Sequence, residues 1–177
     1  MDTQISELAR DIDAACRLSG EFTLRSGLIA TEYFDKYRFE TDPVLLCRVA
    51  AAMVPLLPPD TEVLGGLELG GVPIATMVSS LTGLPALFVR KEPKGYGTRK
   101  LAEGDDVEGA RVTLIEDVIT TGGAVRNAAI ALRTLGARVH TVVCAIDRSE
   151  PGQNVLESIG LTTTSVLTKR MLDDARA

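Results

Sequence analysis

Ile5, Leu8, Ala9, Ile12, Ala15 and Cys16 recur at the three-and-four spacing of one helical face, which predicts an amphipathic helix over 3–18 with Gly20 as its stop. Residues 22–24 and 31–34 read as short strands around a Ser26-Gly27 turn. Asp42 before Pro43 is an N-cap followed by proline at the first helical position, so a helix is expected from there to about Met53, ahead of Pro55, Pro58 and Pro59. The rest alternates. Strands are predicted at 63–66, 86–89, 111–115, 139–146 and 162–167. Helices are predicted from Gly70-Gly71 to about Thr82, over 123–135 with Gly136 as the stop, and briefly after Pro151. Nearly continuous apolar strands joined by helical crossovers imply an α/β fold, a parallel sheet flanked by helices on both faces. Only 90–109 is a long stretch without a predicted element, and such loops are often functional.

Composition narrows the function classes. A chain of 177 residues with 45% hydrophobic residues can bury a sizeable core, so residues 1–177 are expected to form a single domain. The net charge of −5 speaks against general attraction to nucleic acid or to an anionic membrane. Aromatic residues make up only 4% and tryptophan is absent, so the core should be aliphatic. The longest apolar run, 49–54, falls far short of the ~20 residues a bilayer requires. The start Met1-Asp2-Thr3 has no basic segment leading into an apolar one, and a cytoplasmic location is expected. Cys16, Cys47 and Cys144 are widely spaced among apolar neighbours and read as buried reduced thiols, with no cysteine–histidine metal cluster.

The densest chemistry is VTLIEDVITTGGA, residues 112–124. An apolar strand is expected to end in two adjacent exposed carboxylates, Glu116 and Asp117, before the turn Thr120-Thr121-Gly122-Gly123 and a helix. Ligands of open α/β sheets bind at the carboxyl ends of the strands. The glycines let backbone approach a phosphate, and the threonine hydroxyls and helix N-terminal N–H groups donate to it. Two carboxylates repel phosphate but accept hydroxyls, and a ribose 5-phosphate presents both groups. In the loop, Arg90, Lys91, Lys94, Arg99 and Lys100 outnumber Glu92 and Glu103, a local positive excess suited to a diphosphate. Gly65-Gly66 and Gly70-Gly71 suit either plain turns or close backbone approach, and His140, mid-strand, reads as structural.

VTLIEDVITTGGA resembles the phosphoribosyl pyrophosphate (PRPP) motif of the type I phosphoribosyltransferases. Three further segments make the chain similar to the orotate-specific members: FTLRSG at 22–27, RKEPKGYG at 90–97, and Asp147-Arg148. The resemblance spans about residues 20–170 and implies a Rossmann-like core sheet, a small N-terminal α+β hood over about 1–40, and a C-terminal strand packed on the core. It implies that Glu116 and Asp117 bind the ribose hydroxyls, while Val118, Ile119, Thr120, Thr121, Gly122, Gly123 and Ala124 form the PRPP site that cradles the 5-phosphate. Arg25, Tyr33, Phe34, Thr120 and Arg148 would hold orotate, Arg148 through its carboxylate. Arg90, Lys91 and Lys94 would reach the diphosphate from a neighbouring subunit of a homodimer, with Lys91, Lys94 and Asp117 the catalytic set. Mg2+ would be bound mainly through PRPP, without direct protein ligands. Two departures stand out: Tyr96 occupies the place of a loop histidine, and Gly70 that of a lysine near the pyrophosphate. The implied reaction is Mg2+-dependent transfer of ribose 5-phosphate from PRPP to orotate, giving orotidine 5′-phosphate and pyrophosphate. A type I transferase for another nucleobase and a non-catalytic PRPP-sensing regulator are the alternatives.

Overall fold

The computed structural model describes residues 3–23, 26–92, 101–150 and 155–176. The first helix, α1 (Thr3–Cys16), buries Leu8, Ala9, Ile12 and Cys16 along its predicted stripe. It ends before Gly20. Arg17 already pairs with Phe34 across a two-stranded antiparallel hairpin of β1 (Arg17–Thr23) and β2 (Ile29–Phe34), so cross-strand pairing takes over the residues expected in the last helical turn. A four-residue helix α2 (Tyr37–Glu40), too short to show a periodicity, follows and buries Phe39 and Glu40. In α3 (Pro43–Met53), Asp42 caps as expected, its carboxylate accepting from the N–H groups of Val44 and Leu45.

The main sheet has six strands in the order β5-β4-β3-β6-β7-β8. Its members are β3 (Val63–Leu67), β4 (Ala86–Val89), β5 (Ala102–Glu103), β6 (Arg111–Ile119), β7 (Arg138–Asp147) and β8 (Thr162–Thr168). All neighbours are parallel except β5, which runs antiparallel to β4 with Val89 opposite Ala102. The stretch expected to lack structure therefore supplies one short edge strand, and the sheet is mixed. Helices α4 (Gly71–Thr82) and α5 (Gly123–Thr134) are the crossovers, and α6 (Lys169–Asp174) closes the described chain. Only a 3-10 turn, Glu157–Ile159, is described in the helix expected after Pro151.

Alternate strand residues feed two buried layers. Val143 and Ala145 of β7 join α1, Phe39, α3 and α4 in one cluster, whereas Val142 and Cys144 join α5 in the other. Cys16 and Cys144 are buried, but Cys47 is exposed because Leu45, Val49, Ala50 and Met53 form the inward stripe of α3. An ion-pair network fastens the hairpin to both termini. Arg17 meets Asp13, Glu32 and Asp173, and Arg176 meets Glu32 at 2.8 Å. Among the described residues no helix is long and apolar enough to cross a membrane.

Candidate active site

Strand β6 continues through both acids to Ile119, so Glu116 and Asp117 lie inside the strand and not beyond its end. Glu116 pairs with Cys144 of β7, and Ile119 with Asp147. The pleat turns successive side chains to opposite faces, and Asp117 points into the layer beneath α4. It is only 1% exposed, which corrects the expectation of an exposed acid. The N-terminus of α4 presses on it: a Cβ on Gly70 would overlap Asp117 Oδ2, and one on Gly71 would overlap the carbonyl of Ile115. Packing against β6 thus accounts for both glycines, and any side chain at 70, lysine included, would displace Asp117.

Asp117 Oδ1 accepts from the N–H of Val118 at 2.5 Å, and Lys36 Nζ lies 2.5 Å from Oδ2. Burial works against the Lys36 charge, but the hydrogen bond and charge of Asp117 outweigh it and hold the ammonium above its ordinary value. Glu116 Oε2 is buried without a hydrogen-bond partner, and burial followed by the charge of Asp117 raises its carboxyl well above the usual range. Glu40, 6% exposed, brings a third carboxyl to the cluster. Neither Lys36 nor Glu40 is apparent in the sequence. They stand in the charge-rich run Asp35-Lys36-Tyr37-Arg38-Phe39-Glu40, which reads as solvated surface, and their partner Asp117 is distant along the chain.

After β6, Thr120 and Thr121 are exposed, and Gly122 turns the chain at φ 75°, a left-handed conformation where a Cβ would also come 2.9 Å from Leu156 Cγ. Helix α5 opens at Gly123 with no side-chain cap and no acid in its first turn, leaving its N–H groups available to an anion. Across the β6–β7 register, the Arg148 N–H donates to the Ile119 carbonyl at 2.8 Å. The Arg148 guanidinium lies 4.9 Å from the Phe34 ring centroid, so the hairpin reaches the PRPP motif at this point. Burial, then the nearby Arg17, lowers its pKa from the ordinary value, and among the described residues no carboxylate forms an ion pair with it. Tyr33 packs elsewhere, its ring 5.5 Å from that of Phe22.

Arg90 and Lys91 flank a cleft of about 530 Å³ whose other walls include Leu67, Glu68, Ala124 and Asn127. Arg90 is tied to Glu103 at 3.3 Å, the Lys91 N–H donates to Glu68 Oε1 at 2.7 Å, and the Lys91 side chain is exposed. A groove of about 870 Å³ between α1, α3 and β8 holds the Arg48–Asp11 pair and none of the motif residues. Arg25, Lys94 and Tyr96 lie outside the described residues. His140 is exposed on β7. Among the described residues no group of three or more His, Cys, Asp or Glu could hold a metal. The open backbone N–H groups at the start of α5 and the exposed hydroxyls of Thr120 and Thr121 suit a phosphate.

Residues 58–160 match the phosphoribosyl transferase domain family. The chain is 71% identical over 169 residues to an orotate phosphoribosyltransferase of a Nocardioides species, covering 96% of this chain and 94% of the relative. It is 41% identical to the orotate phosphoribosyltransferase of Methanocella arvoryzae, over 94% of each. Among solved structures, the Mycobacterium tuberculosis H37Rv orotate phosphoribosyltransferase in complex with PRPP superposes with a TM-score of 0.79 at 31% identity, over 96% of this chain and 99% of that one.

Proposed function

This chain belongs to the orotate phosphoribosyltransferases, and on that premise we propose how its residues share the work. The reaction joins PRPP and orotate into orotidine 5′-phosphate and pyrophosphate, within pyrimidine biosynthesis. One observation carries the assignment of residues: Arg148, stacked on Phe34 and unpaired with any described carboxylate, sits beside the end of the strand that bears Glu116 and Asp117. A planar guanidinium pairs bidentately with a planar acid, so Arg148 takes the orotate carboxylate, with Thr120 and Arg25 as further polar contacts and Phe34 as the platform. Tyr33, expected beside Phe34 in the orotate pocket, packs on Phe22 instead and takes no part in this assignment. Glu116 and Asp117 accept the ribose hydroxyls. The backbone from Val118 to Ala124, with the Thr120 and Thr121 hydroxyls, holds the 5-phosphate at the uncapped start of α5.

Transfer passes through an oxocarbenium-like ribosyl centre and needs no enzyme nucleophile. Positioning orotate N1 against the anomeric carbon and stabilising the departing diphosphate provide the rate, the latter through Arg90, Lys91 and Lys94. Mg2+, when bound through PRPP's own oxygens and water, adds positive charge at the diphosphate. Residues 1–177 act as one domain, a reading supported by the buried cluster that α1 and Phe39 share with α3, α4 and the main sheet. The chain works as a cytoplasmic homodimer in which loop 90–109 is shared across the interface, its edge strand β5 staying paired with β4 of its own sheet while Lys94 serves the neighbouring site. The test is PRPP- and Mg2+-dependent loss of orotate absorbance, with adenine, hypoxanthine and uracil as competitors. Loss confined to orotate is expected, and turnover of another base in its place would overturn the assignment.

A further inference from the structure

Two carboxyl oxygens converge beside the Cα of Gly70, Glu40 Oε1 without a donor and Asp117 Oδ2 next to the Lys36 ammonium. A Cβ there would overlap Asp117 Oδ2 and come 2.5 Å from Glu40 Oε1, and both oxygens are buried. Two buried carboxyls gathered at one point repel when both are ionised, and a proton shared between them relieves this as a hydrogen bond. Lys36 Nζ, 2.5 Å from Asp117 Oδ2, favours negative charge on Asp117 and so directs the proton to Glu40.

We propose that Glu40 is a positioning residue of the transfer reaction, its buried carboxyl donating the hydrogen bond that fixes the Asp117 carboxylate for the ribose of PRPP. The inference rests on the reading of Asp117 as a ribose-hydroxyl acceptor. Glu40 itself lies behind Asp117, at the end of α2, and touches no substrate. Its carboxyl is pushed up to about 8, first by burial and then by the hydrogen bond and charge of Asp117, with Lys36 opposing. The other groups facing this cluster are Asp35 from its own segment, Glu116 from β6, and Cys16 from α1, a thiol that also feels Arg38 and is held at about 11, therefore neutral in the same range. Loss of the Glu40 proton leaves two like charges behind the ribose site and removes the donor, so the protonated form is the one that binds PRPP.

The experiment is calorimetric titration of PRPP with Mg2+ into the full-length protein from pH 6.5 to 9.5, with folding checked by circular dichroism. For the wild type, PRPP affinity should hold steady to about pH 7.5 and then fall toward tenfold per pH unit above 8, the slope of a single linked proton. Glu40→Gln, whose amide still donates, should stay within about twofold of its neutral-pH affinity throughout. Glu40→Leu, which cannot donate, should bind PRPP about tenfold more weakly already at pH 7. Persistence of the alkaline loss in Glu40→Gln would assign it to Glu116 or another group and overturn the proposal, as would wild-type affinity in Glu40→Leu. Asp117→Asn separates the two readings. If it binds PRPP like the wild type, the ribose assignment fails and Glu40 with it. If it binds weakly while Glu40→Gln keeps the wild-type profile, only the Glu40 inference fails.

Discussion

At the scale of single residues, the acid pair stands out in sequence because two adjacent carboxylates before a Thr-Thr-Gly-Gly turn serve no packing purpose in an apolar strand. Its surroundings do not. Lys36 and Glu40 meet Asp117 only through the fold, and a short run of mixed charges carries no periodicity from which a partner can be read. This changes what Asp117→Asn is expected to do. It should lower use of PRPP by about two orders of magnitude, as the loss of a charged hydrogen-bonding partner does. Because Asp117 is 1% exposed and pairs with Lys36, the variant should also lose roughly 1–3 kcal/mol of stability. Wild-type turnover would remove the central assignment, and an unchanged melting curve would refute the buried ion pair. Arg148→Ala should instead weaken orotate roughly a hundredfold and PRPP little, since it removes a carboxylate partner and no phosphate contact. Equal losses in the two binding constants would contradict that role. Glu40 adds a pH dependence of stability. Its folded value of about 8 lies above an unfolded value near 4.5, so the folded chain binds more protons between them and stability falls as pH rises through that window. Melting temperatures from pH 5 to 9 should decline less in Glu40→Gln than in the wild type, and parallel declines would exclude Glu40 as the source.

At the scale of elements, legibility follows length and local chemistry. Helix α3 announces itself because its cap, its first-turn proline and its apolar stripe agree, and the structure places all three as read. Asp42→Ala should therefore cost about 1 kcal/mol, visible as a lowered denaturant midpoint with an unchanged slope. No change would mean that water satisfies the Val44 and Leu45 N–H groups as well as the carboxylate does. Strand β6 is the instructive miss. The apolar pattern stops at Ile115, yet hydrogen bonding to β7 carries the strand through Glu116 and Asp117 to Ile119, because α4 and the hairpin end bury polar groups that water would otherwise hold. Helices α2 and α6 span four and six residues, too short for a 3.6-residue period to be counted, and tertiary packing of Phe39 and Leu172 holds them. The early end of α1 has the same origin, since β1 can form only once β2 is there to pair with it.

At the scale of the whole molecule, the alternation of strands and helices led correctly to a sheet covered on both faces, and only the two-residue edge strand β5 makes it mixed. Oligomeric state is harder to read from sequence, because an interface looks like surface until its partner is present. Val44, Leu81 and Phe88 remain 65%, 48% and 38% exposed on α3, α4 and β4, and single exposed apolar side chains of this kind do not by themselves mark an interface. A two-fold dimer would carry two equivalent shared sites, each built from one chain's PRPP motif and the other chain's loop 90–109. Lys94→Ala and Asp117→Asn, each nearly inactive alone, provide the test when unfolded together and refolded in equal amounts. About half of the dimers would then be mixed, and each mixed dimer would hold one site with both parts intact, so activity should return to roughly a quarter of the wild type. If each chain closed its own loop over its own site, no site would be repaired. Subunit exchange verified by a tagged chain, with no activity recovered, would therefore exclude the shared site and leave each protomer to neutralise its own diphosphate.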